Sequence, residues 1–216
     1  AALLIVLVGI LDIVLSMSAG EAKATSAITV TEWFSLLQAS PVTALSNLGM
    51  INLITLSLGI PVYLALFHVH QRSNPAFVAL AVLLFLIGAA VYLSSNTVFS
   101  MLALSAQYAA APAVEKPLIE AAGRAALALG ADLTPGTLLG LCFAQAGGLL
   151  MALVMLSGGL FGKWTAWLGL FGFGCMLIFF PFAAFAPDHF TVAMLISMFG
   201  GLALMVEEAF TVSCRN

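Results

Sequence analysis

The chain has 216 residues, 63% of them hydrophobic, with 6 basic and 9 acidic side chains and a formal net charge of −3. Soluble domains are about 45–50% apolar and about 25% charged, so a mean hydropathy of +1.18 excludes that class. With 3 cysteines and no low-complexity tract, the sequence is neither a disulfide scaffold nor a disordered chain.

A backbone that crosses hydrocarbon must satisfy its own hydrogen bonds, as a helix or as a closed barrel. Barrel strands alternate apolar and polar residues over about ten positions. Here the apolar runs are long and continuous, so the chain reads as an all-α, polytopic transmembrane helix bundle. One crossing takes about 20 residues. The runs give six spans in a single transmembrane domain, at 1–17, 41–68, 76–98, 135–158, 164–186 and 190–212.

The first run opens at Ala1 without an initiator methionine, so this helix is expected to begin before the sequence in hand. It holds Asp12 and lacks a charged front end, which argues against a signal peptide. Next, Thr29-Val30-Thr31-Glu32 forms a capping-box pattern ahead of Trp33-Phe34 and Leu36-Leu37. Tryptophan favours the headgroup level, which predicts a short interfacial helix here. Ser40-Pro41 then places a hydroxyl before a first-turn proline. Asn74-Pro75 breaks the chain between the second and third spans.

The third apolar run continues to Tyr108, longer than one crossing needs. Its part beyond Ser94-Ser95-Asn96-Thr97 is expected to project past the bilayer or to lie along it. Lys116, Glu120 and Arg124 follow at successive i,i+4 positions. Such pairs contribute about 0.2–0.5 kcal/mol each and predict a short helix between Pro112 and Gly130. Both connections read as a lid over one end of the bundle.

Thr134-Pro135 opens the fourth span, where Gly136, Gly140, Ala144, Gly148 and Ala152 recur at every fourth residue. A ridge of small residues lets another helix approach closely. Span five adds Gly169, Gly172 and Gly174, and span six adds Gly200-Gly201. The turn between spans four and five reads Ser157-Gly-Gly-Leu-Phe-Gly-Lys-Trp-Thr-Ala-Trp-Leu-Gly169. It resembles the S-G-x-L-x-x-K-x-x-x-x-L-G turn of the DUF4386 family of six-helix bacterial membrane proteins. The order of elements is similar too. That resemblance implies a fold and no chemistry, because the family's function is undefined.

Numbering the connections alternately to the two sides gives three basic residues on each. Basic residues in short loops set the orientation, and Arg72 and Lys163 then mark the cytoplasmic side. Both termini would lie inside and both long loops outside, in the inner (cytoplasmic) membrane.

Ionisable groups inside spans are costly, roughly 2.5–3.5 kcal/mol for a carboxylate at a helix centre on insertion scales. Asp12, Glu207 and Glu208, with the polar Asn96 and Gln145, are therefore the candidates for a ligand contact or a proton relay. The competing reading of Asp12 is a hydrogen bond between helices, and that of the two glutamates is anchoring at the interface. His68 and His70, at i,i+2, do not share a helix face. Cys142, Cys175 and Cys214 lie in separate spans. No metal site, cofactor or catalytic constellation is expected. The sequence thus points to a non-enzymatic membrane component without nucleic-acid partners. It reads as an accessory subunit of a membrane complex or a binder of a lipid-like ligand, with a proton-coupled carrier as the alternative.

Overall fold

The computed structural model describes residues 28–213 apart from 73, 132, 160 and 161, together with residues 4, 5, 7 and 8; for 187 and 208–213 it describes the backbone alone. Its helices are α1 (Val30–Ala39), α2 (Pro41–Asn47), α3 (Met50–His70), α4 (Pro75–Ser95), α5 (Val98–Ala110), α6 (Lys116–Gly130), α7 (Pro135–Gly158), α8 (Lys163–Phe185) and α9 (Phe190–Ser213). A single 3-10 turn, Pro187–His189, joins the last two. There is no strand among the described residues. The chain is an all-α membrane bundle.

Five stretches among the described residues are long and apolar enough to cross a membrane: Met50–His70, Pro75–Ala110, Lys116–Gly158, Lys163–Phe185 and Phe190–Glu207. The expected first span lies outside the described residues, except that Leu4, Ile5, Leu7 and Val8 are helical. Local signals set several boundaries. Pro41, Pro75 and Pro135 each open a helix, where a missing N–H costs nothing. Gly159, at φ +64°, closes α7, in the left-handed conformation glycine tolerates best.

Two breaks depart from regular helix and define the architecture. The apolar run Pro41–His68 is two helices rather than one, because the chain turns at Leu48 and Gly49, the latter at φ +91°. The third run breaks at Asn96 and Thr97, as its polar cluster anticipates. These breaks split the protein into two cores. One, in the membrane part, gathers Tyr63, Val78, Phe85, Tyr92, Leu141 and Met151 from α3, α4 and α7, with Ala166 and Phe180 of α8. The other fills a lid of α1, α2 and α5 around Trp33, Phe34, Leu37, Val98 and Met101, with α6 packed against it.

Trp33 corrects the sequence reading. It is 1% exposed, at the centre of the lid, and does not sit as a headgroup anchor. The capping box that starts its helix is present, with Thr29 Oγ1 accepting from the Glu32 amide at 3.3 Å and Glu32 Oε2 accepting from the Thr29 amide at 2.7 Å. The cap sets where α1 begins. The register of Trp33, Phe34 and Leu37 then turns its apolar face inward.

The described spans are laid out as a row. α4 packs on α3 and extensively on α7, α7 on α8, and α8 on α9. α9 at one end is the least enclosed, with 17% of its span buried, and α3 at the other end and α8 each have 22% buried.

Candidate functional site

Side-chain hydrogen bonds between elements gather where the lid meets the membrane part. Asn96 Nδ2 donates to the Leu48 carbonyl at 3.1 Å, and Asn96 Oδ1 accepts from the Val98 amide at 2.9 Å. Tyr92, fully buried one turn earlier, donates from its hydroxyl to the Gly49 carbonyl at 3.4 Å. Side chains at the end of α4 therefore satisfy the backbone carbonyls of the first break, and Asn96 also satisfies an amide of its own break. Thr97 Oγ1 donates to the Ala126 carbonyl at 3.2 Å and ties α6 to the same point. On the far side of the lid, Ser105 Oγ donates to the Phe34 carbonyl at 3.0 Å, and Gln38 Nε2 donates to the Ser105 carbonyl at 3.2 Å. Asn96 is thus engaged in holding the junction.

Below the junction runs the small-residue ridge of α7. A methyl at Gly140 would stand 2.7 Å from the Tyr92 amide nitrogen, so backbones of α4 and α7 meet there. Gly136 faces Ser95, and Gly147 faces the Ala81 carbonyl and the Phe85 amide, each across the same seam. Gly148, however, lies against the ring of Phe173 on α8, and Ala152 lies opposite Gly169 of α8. The reason is helical geometry. Four residues advance about 400°, so a ridge of every fourth residue drifts about 40° per step. Over the sixteen residues from Gly136 to Ala152 it passes from one neighbour to the next. A single sequence ridge serves two helix contacts.

The remaining candidates do not converge. Gln145 lies near the middle of α7 with its Oε1 buried and without a hydrogen-bond partner. The Glu207 side chain lies beside Gly169, whose missing side chain leaves room for it at the α8–α9 contact. Asp12 lies outside the described residues, and of Glu208 only the backbone is described. His70 is fully buried at the end of α3, its Nδ1 3.1 Å from the Leu66 carbonyl. His68, exposed, meets Gln71 instead. Among the described residues no three His, Cys, Asp or Glu side chains gather as a metal site.

The charged residues of α6 also behave differently from the sequence expectation. Lys116 Nζ stands 4.8 Å from the centroid of the Tyr108 ring, and Glu120 accepts from the Tyr108 hydroxyl at 2.9 Å. Both meet on Tyr108 rather than on each other. Sequence spacing on one helix cannot reveal a third residue on α5 that takes both. Beside them, Ile28, Thr29, Val30, Thr31, Glu120, Arg124 and Leu127 line a cleft of about 490 Å³ at the start of α1. Its threonine and glutamate oxygens are already committed to the capping box and to Tyr108.

Comparison with known proteins adds one match. No curated protein and no solved structure matches the chain. The model of a domain of unknown function, DUF4386, matches residues 39–207. That range begins at the end of α1 and takes in both helix breaks, the rest of the lid, the α7 ridge and the row through Glu207. A match over most of the chain, on the elements that build its junction and its seam, makes this protein a member of the DUF4386 family.

Proposed function

We propose that the protein is a non-enzymatic membrane component, an accessory subunit that lends helix faces to a larger membrane complex. The observation that supports this is the open row of spans. α3 and α9 stand at its ends with most of their surfaces uncovered. Along α9, Val192, Leu195, Met198, Phe199, Leu202 and Val206 are all more than a third exposed. Gly201, with nothing within 4 Å of the position a side chain would start from, leaves space there for close helix approach. The polar side chains of the lid and its junction, by contrast, are taken up in hydrogen bonds there, and Gln145 and Glu207 stand apart from them. On this reading the protein sits in the cytoplasmic membrane, with Arg72 and Lys163 inside.

The test is mild solubilisation of the tagged chain from its native membrane, followed by native mass spectrometry. Companion subunits in fixed stoichiometry are the expected result. Replacing Gly201 with Leu should release them while leaving the melting temperature unchanged. A monomer carrying only lipid overturns the accessory reading in favour of a lipid binder.

A further inference from the structure

Helix α6 carries an apolar stripe on its outward side. Gly123 and Gly130 are its buried residues, Gly123 against Val30 and Phe34 of α1. Lys116 and Glu120 sit on the half-buried flank, where they meet Tyr108. Besides the charged Glu115 and Arg124, the exposed positions are apolar, among them Val114, just before the helix, then Leu118, Ala121, Ala122, Ala125 and Leu129. Val114 is 90% exposed, Leu118 75% and Leu129 70%. These residues recur at spacings of three and four, so they form one stripe. A water-facing helix carries its charges on that stripe and its apolar residues beneath it. Here the outward stripe is apolar, although the inward side also carries Ile119, Ala126 and Leu127 against the lid core.

Helix α1 of the lid is not built this way. The exposed positions of α1 are Glu32, Ser35, Gln38 and Ala39, a mostly polar face. Water therefore suits one side of the lid and not the other. Along the chain, the apolar side leads directly into the membrane part. Leu129, at the end of α6, is separated from α7 by residues 131–134 alone, and α7 continues the exposed apolar surface at Leu139 and Leu153. The stretch Lys116–Gly158 has 43 residues, about twice what one crossing uses. An amphipathic helix lying in the interface buries its apolar face about 5–10 Å into the headgroup–acyl boundary and keeps its charges at the edge. Arg124, exposed on the flank, is placed to reach lipid phosphates in that pose.

We propose that α6 lies along the bilayer surface, with Val114, Leu118, Ala121, Ala122, Ala125 and Leu129 sunk into the headgroup–acyl boundary. The lipid surface is the partner of this face, and α1 is the side of the lid that meets water.

The experiment uses the full, unmodified chain in phosphatidylcholine–phosphatidylglycerol vesicles containing a photoactivatable phosphatidylcholine. After illumination, lipid adducts are mapped by mass spectrometry. Adducts are expected on Val114, Leu118 and Leu129, at a level comparable with Leu139 of α7 and at least fivefold above Glu32, Ser35 and Gln38. A second arm places a fluorophore at Ala125→Cys or Ser35→Cys in a chain whose native cysteines are serine. A lipid-borne quencher should act on the first and aqueous iodide on the second. An α6 free of adducts while α7 carries them overturns the proposal. Iodide quenching at position 125 then assigns the face to water, and protection from both quenchers assigns it to another protein surface.

Discussion

Asn96 donates to the Leu48 carbonyl at 3.1 Å, so the residue just after α4 holds the residue just after α2. The pair are 48 residues apart in sequence. Removing one partner of a buried hydrogen bond leaves the other unsatisfied, which costs about 1–3 kcal/mol. Asn96→Ala is therefore expected to lower the melting temperature in detergent by several degrees, since the Leu48 carbonyl and the Val98 amide both lose a partner. Tyr92→Phe, which loses two long bonds of 3.4 Å, one to the Gly49 carbonyl and one from Asn96 Nδ2, should have a smaller effect. If Asn96→Ala melts as the wild type does, Asn96 is free for a ligand, and its structural role fails.

The glycine seam predicts a graded series. Gly140→Ala drives a methyl into the Tyr92 backbone, which cannot turn aside, and overpacking of this kind typically costs about 1–3 kcal/mol. Gly148→Ala meets a phenylalanine ring instead, and a ring can shift, so its cost should be smaller. Gly201→Ala meets nothing within 4 Å and should leave the melting temperature unchanged. Equal losses at all three positions would contradict the assignment of the seam to Gly140.

Topology is checked by labelling. Ser35 lies on the polar face of α1 and Gln71 follows α3, so one crossing separates them. In a chain whose native cysteines are serine, Ser35→Cys and Gln71→Cys should react with a membrane-impermeant maleimide from opposite sides. Gln71→Cys should be reached from the cytoplasmic side, which the basic Arg72 marks. Labelling of both from one side would remove α3 as a span.

A carrier and an accessory subunit differ in what Asp12 and Glu207 must do. A carrier needs a carboxylate that changes protonation in reach of water. Asn and Gln keep shape and hydrogen bonding but cannot ionise. Asp12→Asn and Glu207→Gln are expected to fold normally and change no proton flux in vesicles, whereas Asp12→Leu, on the reading of Asp12 as a hydrogen bond between helices, should melt earlier. A wild-type proton-coupled flux that is lost in a folded Asp12→Asn chain would establish the carrier instead.

Much of the helical plan was legible because the bilayer and the prolines impose it. Pro41, Pro75 and Pro135 start helices as read, and the Thr29–Glu32 capping box is closed. The break at Leu48–Gly49 was hidden, because an unbroken apolar run gives no sign of a turn except Asn47-Leu48-Gly49 itself. Trp33 was misplaced for a related reason: a tryptophan near a membrane suits either a headgroup or a core, and only the fold of the lid decides. The ridge of α7 was visible as spacing, but its division between α4 and α8 depends on which helices stand beside it. Asn96 stood out as polar, yet its engagement rests on a carbonyl that no sequence pattern points to. Asp12 and Glu208 lie beyond what the structure describes at side-chain level.

The paired breaks have a mechanical consequence. Met50–His70 and Pro75–Ser95 each contain 21 residues, about 31 Å of helix at about 1.5 Å per residue. That matches a hydrocarbon thickness of about 30 Å. Neither helix keeps a spare turn at the lid end, since the chain has already bent away at Gly49 and Asn96. The two together work as a thickness gauge. In a thicker bilayer they cannot lengthen, so the mismatch has to be met by thinning of the lipid around them or by drawing the lid down toward it.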